Sequence, residues 1–319
     1  MSQSIEKTAP PRHRPHASGS GDRVFAGLAT GAGVLVLVLL IGLIVSLFIG
    51  ALPAFRTFGA NFLVNADWDP RHNVYGAWVP IYGTLITSIM ALLLAVPLAF
   101  GIAVFLTEIA PQWMRRPVGT AVELLAAVPS IIYGMWGVVV IVPIMAEYVK
   151  PHVVDTFDGI PVLQDLFTGP PRGTGLFTAA VILAVMIIPF IAATMRDVFL
   201  TVPDVYKESA YGVGCTRWEV LRGVVVPYTR SSVVGGIMLG LGRALGETMA
   251  VTFVIGNADR FSANLFGSGN TIASKIALEF GEASGLKLSS LLALGFILFV
   301  ISFIVLAISR LLLRPGARA

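Results

Sequence analysis

Two charged residues stand four positions apart in an otherwise apolar stretch. Arg243 and Glu247 lie inside the segment from Ser231 to Asn257. An Arg in the middle of a bilayer costs about 2.5 to 3.5 kcal/mol on insertion scales, so it is retained there for function or for pairing. On a helix, i,i+4 spacing places both side chains on one face, where they can contact each other or a charged species between them. The pattern therefore predicts a site for a transported ion.

The helix that would position this pair carries a stripe of mostly small residues, which allows a partner helix to approach closely. The stripe consists of Gly236, Gly240, Arg243, Glu247 and Ala250. Counted from Ser231, Arg243 would lie about 18 Å from the cytoplasmic end, close to the bilayer midplane, at about 1.5 Å per residue. Arg243 is therefore expected to face protein and not lipid.

The composition places the whole chain in a membrane. Of its 319 residues, 56% are hydrophobic and 13% charged, and the mean hydropathy is +0.84, outside the range of soluble domains. Six segments are long enough to cross a hydrocarbon core about 30 Å thick. The predicted spans are residues 25–50, 77–107, 118–146, 174–195, 230–257 and 287–310. The first apolar run is too long for a cleaved signal peptide and lacks an A-x-A site, so it is expected to remain as an anchor.

The distribution of Lys and Arg predicts the orientation. Segments on the side of the termini hold fourteen of the 22 Lys and Arg residues, and the opposite segments hold seven. The last one, Arg243, lies within a predicted span. Positively charged loops stay in the cytoplasm, so both termini are expected there. This topology also accounts for the net charge of +4 without nucleic acid.

Residues outside the spans predict neither disulfides nor a metal centre. Cys215 is the one cysteine, and the four histidines, His13, His16, His72 and His152, show no zinc-ligand spacing. We expect residues 1–23 to form a disordered cytoplasmic tail, residues 24–74 an anchor helix with its periplasmic connection, and residues 75–319 the transport domain.

The predicted cytoplasmic segment of about residues 196–230 is expected to form two short helices. Pro203-Asp204 suits a helix start, and Gly212 and Gly214 permit a reversal. Thr216 and Glu219 have the spacing of a capping box, and Pro227 is expected to close the second helix. Such a helical hairpin would offer a contact for a cytoplasmic partner.

This segment resembles the coupling motif of bacterial ABC importer permeases, with Glu208, Ser209, Ala210, Gly214 and Pro227 at the matching positions. From about Phe55 onward, the chain is similar to the phosphate-specific permease subunits of these importers. The matching runs are Trp68–Pro70, Ile81–Leu85, Ala95–Leu98, Glu123–Gly137 and Leu241–Thr248. The resemblance implies an all-α polytopic protein with six transmembrane helices and the type I ABC importer permease fold.

The resemblance also implies a complex in the bacterial inner membrane. Its expected partners are a homologous permease subunit (PstA-like), two copies of an ATPase (PstB-like) and a periplasmic phosphate-binding protein (PstS-like). No G-x-x-x-x-G-K-[ST] motif occurs in this chain, so ATP and Mg²⁺ are expected to bind the ATPase. The chain itself is expected to be non-catalytic and to bind no cofactor.

For the charged pair, the resemblance implies a role in phosphate transport. A guanidinium can hold phosphate through two parallel hydrogen bonds, and a carboxylate can accept the proton of a protonated phosphate, which sulfate lacks. Arg243 and Glu247 could instead form an ion pair that opens during transport, or a permanent salt bridge. Glu123 and Thr248 are further pathway candidates, although Glu123 also fits a solvated carboxylate beside span three. Glu108 and Arg115-Arg116 are interpreted as topology determinants.

Three other functions remain open at this point. A permease for sulfate, molybdate or another oxyanion would share the fold. A stand-alone secondary transporter or channel could use the charged pair as a relay, but would leave the cytoplasmic loop without a purpose. A signalling or scaffold protein would leave the intramembrane charges unexplained.

Overall fold

The computed structural model describes residues 20–157, 167 and 172–312. Of the predicted tail, residues 1–23, positions 1–19 lie outside the described residues. The rest of it, from Ser20, belongs to the first helix. The chain divides into two compact units, residues 1–46 and 47–319. In the first unit, the described residues form the N-terminal part of helix α1, Ser20–Phe58.

The described residues of the second unit are also mostly helical, with one small hairpin. After α1 come α2, Asn61–Val64, and the antiparallel strands β1, Trp68–Asp69, and β2, Val74–Tyr75, with Trp68 opposite Tyr75. The following helices are α3 (Trp78–Val104), α4 (Gln112–Ala126), α5 (Ser130–Trp136), α6 (Val142–Ile144), α7 (Lys150–Phe157), α8 (Leu176–Leu200), α9 (Asp204–Gly212), α10 (Arg217–Val220), α11 (Val226–Leu245), α12 (Met249–Val254), α13 (Ile272–Glu279) and α14 (Gly285–Leu312).

Six helical stretches among the described residues are long and apolar enough to cross a membrane, which confirms the predicted number of spans. They are Gly21–Phe58, Trp78–Ile109, Ser130–Thr156, Leu176–Leu200, Arg217–Leu245 and Gly285–Leu311. Several include π-helical turns, at Phe105–Ile109, Gly137–Ile141, Met145–Val149 and Leu221–Val225. The turn at Phe105–Ile109 extends the end of α3, and the other three join shorter helices into continuous spans.

The predicted bounds of span three, 118–146, are wrong. The helix α4 ends at Ala126, and span three starts only at Ser130. Pro129 lies between them with an extended backbone (ψ 134°), because proline has no N–H to continue the hydrogen-bond ladder. The apolar sequence hides this break, and α4 is a separate amphipathic helix before the span.

The predicted bounds of span five, 230–257, are wrong as well. The helical stretch starts at Arg217 and ends at Leu245. Pro227 does not close a second short helix, since it lies in the first turn of α11, where proline is tolerated. The π turn Leu221–Val225 directly before it carries the helix through this point. The segment of residues 196–230 therefore contains one separate short helix, α9, and the start of span five.

The core of the second unit surrounds span four. In α8, 67% of the most apolar window is buried, against 17 to 28% in the other spans of this unit. The helix α3 packs against α8, and its core residues Ala91, Ala95, Ala99 and Ala103 are fully buried at i,i+4 spacing. Alanine ridges let two helices approach closely. Span four is thus the rigid support on which the neighbouring spans are placed.

Candidate functional site

Arg243 lies in the last turn of α11, on the face that packs against α8. A Cβ atom placed on Gly240 would come within 2.7 Å of Ile191, and one on Gly236 within 2.8 Å of Thr194. The missing side chains therefore let α11 lie directly against span four. The Arg243 guanidinium carbon stands 5.7 Å from the centre of the Phe190 ring, at cation–π distance. Arg243 thus faces protein along the stripe of small residues.

Arg243 lies near the C-terminal end of the helical stretch Arg217–Leu245, about 39 Å along the helix from Arg217 at about 1.5 Å per residue. The position is near the far end of span five, where the helix is about to break.

The Arg243 guanidinium has no polar partner within the part of the chain that the structure describes. It forms neither a hydrogen bond nor an ion pair there, and its contact is with the Phe190 ring. A partly buried guanidinium whose five N–H groups are free can donate hydrogen bonds to a planar or tetrahedral oxyanion.

Glu247 does not share a helix face with Arg243, and this expectation was wrong. The helix α11 ends at Leu245, and Gly246, Glu247 and Thr248 form a break before α12. No Arg243–Glu247 ion pair within 4.0 Å is present among the described residues. Instead the Oε1 atom of Glu247, a residue only 9% exposed, accepts a hydrogen bond from the Ala250 N–H at 3.2 Å. The carboxylate satisfies one of the free donors at the start of α12.

Thr248 belongs to the same break. Its hydroxyl donates to the Gly246 carbonyl at 3.3 Å, and its own carbonyl accepts from the Thr252 hydroxyl at 2.7 Å. The start of α12 is packed against span three, since a Cβ on Gly134 would lie 2.9 Å from the Ala250 Cα. Irregular backbone within a membrane is tolerated where protein or a cavity surrounds it, and transporters place such breaks at their binding sites. Arg243 thus lies just before one interruption of span five, and Glu247 and Thr248 lie within it.

Glu123 has a different partner. It lies on α4, before span three, and its Oε1 accepts a hydrogen bond from the Arg196 Nη1 at 2.6 Å. The Glu123 side chain is 51% exposed, so this pair is a solvated surface bridge between α4 and the end of span four. The structure supports the solvated-carboxylate interpretation of Glu123 over a pathway role.

The segment of residues 196–230 presents an exposed apolar surface around α9. Gly214 has a φ of +92°, the left-handed conformation that allows the reversal after this helix. The predicted capping box is confirmed, since the Thr216 hydroxyl accepts the Glu219 N–H and the Glu219 carboxylate accepts the Thr216 N–H. Glu208, Ser209, Gly214 and Pro227 are exposed, and Ala210 is partly buried. The most exposed apolar side chains here are Val205 (69%), Val213 (81%) and Trp218 (63%).

An ion pair that the sequence did not indicate fixes this segment to span two. The Lys207 Nζ lies 2.7 Å from the Glu108 Oε1, and the two side chains are only 15% and 12% exposed. Glu108, interpreted above as a topology determinant, thus ties the end of span two to α9. Because 99 positions separate the residues, no local spacing could have revealed the pair.

Replacing one partner of this pair is expected to destabilise the protein. Glu108→Gln leaves a mostly buried ammonium, and breaking a buried pair costs about 3–5 kcal/mol, whereas replacing both partners is often nearly neutral. The apparent melting temperature of the solubilised complex should therefore fall for Glu108→Gln and partly recover for Glu108→Gln/Lys207→Met. The matched control is Glu123→Gln at the exposed bridge, where the loss should stay below about 1 kcal/mol. Equal melting temperatures for both single variants would contradict the pairing.

A second ionic cluster joins α13 to the hairpin and to the loop before α13. The Lys275 side chain, only 2% exposed, contacts Asp259 at 2.6 Å and Glu279 at 2.5 Å. The second Glu279 oxygen accepts from the Trp68 indole at 3.1 Å and lies 3.1 Å from the Lys287 Nζ. Lys275 also lies over the Trp68 ring, 4.7 Å from its centre. The i,i+4 spacing of Lys275 and Glu279 is the one signal of this cluster in the sequence.

The cluster predicts a loss of stability in acid. Burial alone would raise the pKa of Glu279, but hydrogen bonds from Lys275, Lys287 and Trp68, together with the Lys275 charge, hold that pKa below its ordinary value of 4.5. A lowered folded-state pKa contributes stability above the ordinary value, and this contribution is lost as the pH falls through the folded-state pKa. The melting temperature of the protein should therefore exceed that of Glu279→Gln at neutral pH, and the difference should shrink below about pH 4. A constant difference would contradict this assignment.

The fold and the site define a class. The structure is similar to one chain of a bacterial ABC transporter involved in the import of the acidic polysaccharide alginate, with a TM-score of 0.61 and 16% identity, covering 93% of this chain and 97% of that one. This is the type I ABC importer permease fold. Within it, residues 95–315 match the family of binding-protein-dependent transport system inner membrane components.

Two similar proteins carry a more specific name within this family. The phosphate transport system permease protein PstC of Pasteurella multocida is 60% identical over 280 residues, covering 88% of each chain. The protein of the same name from Mesorhizobium japonicum is 58% identical over 299 residues, covering 93% of this chain and 91% of its own. The chain belongs to the family of binding-protein-dependent transport system inner membrane components, and it is a multi-pass transport subunit of the inner membrane.

Proposed function

We propose that this chain is the permease subunit of an ATP-driven importer for inorganic phosphate and forms half of its translocation pathway. Anion transport is supported by one observation above all, the partly buried Arg243 guanidinium that has no polar partner in the described part of the chain. Phosphate is supported as the anion by the names of relatives up to 60% identical.

The break in span five suggests how the anion is selected. Arg243 donates two parallel hydrogen bonds to phosphate oxygens, which replace part of its hydration. The Glu247 carboxylate accepts a hydrogen bond from the P–O–H group of a monoprotonated or diprotonated phosphate, a donor that fully ionised sulfate lacks. Before phosphate binds, the hydrogen bond from the Ala250 N–H holds the Glu247 carboxylate close to the break. Thr248, at the start of α12, is a further donor on the path.

The remaining parts of the importer are supplied by other subunits. A homologous PstA-like permease completes the pathway, and a PstS-like periplasmic protein delivers phosphate. Two PstB-like ATPases bind ATP and Mg²⁺, and one of them contacts the coupling segment around Glu208, Ser209, Ala210, Gly214 and Pro227. The exposed Val205, Val213 and Trp218 provide the apolar area for this contact. The excess of Lys and Arg on one side supports cytoplasmic termini.

Reconstitution tests this function. The complex is purified through a tag on this chain, its co-purifying ATPase is identified, and it is placed in proteoliposomes with the phosphate-binding protein. We expect uptake of radiolabelled phosphate that requires ATP and is not reduced by excess sulfate or molybdate. Accumulation of sulfate or molybdate in place of phosphate, or phosphate uptake without any ATPase, would contradict the proposal.

A further inference from the structure

A large groove opens between spans five and six, apart from the break at Arg243. Its volume is about 860 Å³, and its walls are mostly apolar. It is lined by residues of the segments 232–239 on α11 and 303–311 on α14, together with Thr194 of α8. The large apolar side chains at its edges, Leu239, Phe303 and Leu306, are 58%, 64% and 40% exposed. The groove lies between two helical stretches that are long and apolar enough to cross a membrane.

The polar groups of the groove are gathered at one end. Arg310 lies in the last turn of α14, and it is the one charged residue that lines the groove among the described residues. Next to it, Ser309 is only 4% exposed, yet its hydroxyl has no hydrogen-bond partner in the described part of the chain. Ser232 lies at the same end, because consecutive spans run in opposite directions. An apolar groove that ends in a cation and free hydroxyls matches an amphiphile with an anionic head.

The length of the groove distinguishes a lipid from a helix. The lining segments extend about 10 Å on α11 and about 12 Å on α14 at about 1.5 Å per residue. One leaflet of the hydrocarbon core is about 15 Å deep, whereas a transmembrane helix of a partner subunit would run the full depth of about 30 Å. The groove therefore fits the reach of an acyl chain from one leaflet.

We propose that this groove binds one acyl chain of an anionic phospholipid, with the headgroup phosphate held by Arg310 and the hydroxyl of Ser309. The arrangement follows the rule that Arg near a span end reaches the headgroup region, where anionic lipids attract it. A bound lipid would fill the space between spans five and six and keep α11 pressed against α8. The site does not depend on which anion the importer carries.

Photocrosslinking in the assembled complex tests the site. Phosphatidylglycerol or phosphatidylcholine, each with a diazirine in the acyl chain, is incorporated at equal fractions into proteoliposomes that contain the complex. We expect phosphatidylglycerol crosslinks in residues 232–239 and 303–311. Gly235→Leu should reduce them to near background, because a Cβ there meets open space in the groove and the added side chain fills it. Arg310→Gln should reduce the preference for phosphatidylglycerol about fivefold, the factor that one basic residue contributes near an anionic surface.

Two matched controls separate the groove from general lipid contact. Gly101→Leu also adds a side chain where a Cβ meets open space, on α3, and Arg116→Gln removes an exposed charge on α4. Neither should change the crosslinks in the two segments. Equal crosslinking by both lipids, or crosslinks that Gly235→Leu leaves unchanged, would overturn the proposal. It would also be overturned if both segments stayed unlabelled while Gly235→Leu reduced co-purification of the second permease subunit, since a protein helix would then occupy the groove.

Discussion

Arg243→Gln is expected to lower ATP-driven phosphate uptake about 10- to 100-fold, because a hydrogen bond to a charged group contributes about 1.5–3 kcal/mol. The structure leaves this guanidinium without a polar partner in the described residues, so its removal breaks no hydrogen bond or ion pair there. The loss should therefore appear in transport and not in folding. Arg243→Lys should retain part of the uptake, since the ammonium keeps the charge but loses the two parallel donors.

The comparison needs evidence that the complex itself is intact. Co-purification of the ATPase and ATP turnover should be the same for Arg243→Gln and for the unaltered protein. Arg230→Gln is the matched control, because Arg230 is an exposed arginine of the same helix α11. Its uptake should be close to that of the unaltered protein. Normal uptake by Arg243→Gln would show that phosphate passes without this residue.

Exchange of the two charges, Arg243→Glu with Glu247→Arg, is expected to reduce uptake to background. A permanent salt bridge would tolerate the exchange, but the structure contains no such bridge between these residues. An Arg at position 247 cannot accept the Ala250 N–H, and a Glu at position 243 would repel the anion. Uptake is measured beside both single variants, and substantial recovery in the exchanged protein would restore the salt-bridge interpretation.

Glu247→Gln separates the structural role of this side chain from its proposed role in selection. The amide oxygen can still accept the Ala250 N–H, so the break in span five should persist. The proton-accepting carboxylate is lost, and discrimination against sulfate should weaken more than uptake itself. Discrimination is measured as the inhibition of phosphate uptake by added sulfate, in Glu247→Gln and in the unaltered protein.

Hydrophobicity alone predicted the number of spans, because a run of about 20 apolar residues has few alternatives to crossing a bilayer. It could not place their ends. The break at Ala127–Pro129 lies in an apolar run with no change in hydropathy, and the π turn before Pro227 has no signature in composition. Pro129 therefore lies between two helices, whereas Pro227 lies in the first turn of a helix that continues the preceding π turn.

The sequence indicated the candidate site residues but not the geometry around them. Two charges in an apolar stretch drew attention to Arg243 and Glu247, and the glycines at positions 236 and 240 indicated a closely packed face. The interruption at Gly246–Thr248 removed the shared helix face that i,i+4 spacing requires. Phe190 contacts Arg243 from span four, and such a tertiary neighbour leaves no pattern in a single sequence.

Contact between Arg243 and the transported anion can be measured by solid-state NMR. The complex is labelled with ¹⁵N-arginine, trapped by vanadate with inorganic phosphate present, and examined for dipolar coupling between side-chain ¹⁵N and the ³¹P signal of that phosphate. We predict a coupling that is present in the unaltered protein and absent in Arg243→Gln. A coupling of equal strength in both proteins, or none in either while phosphate remains bound, would contradict a phosphate contact at Arg243.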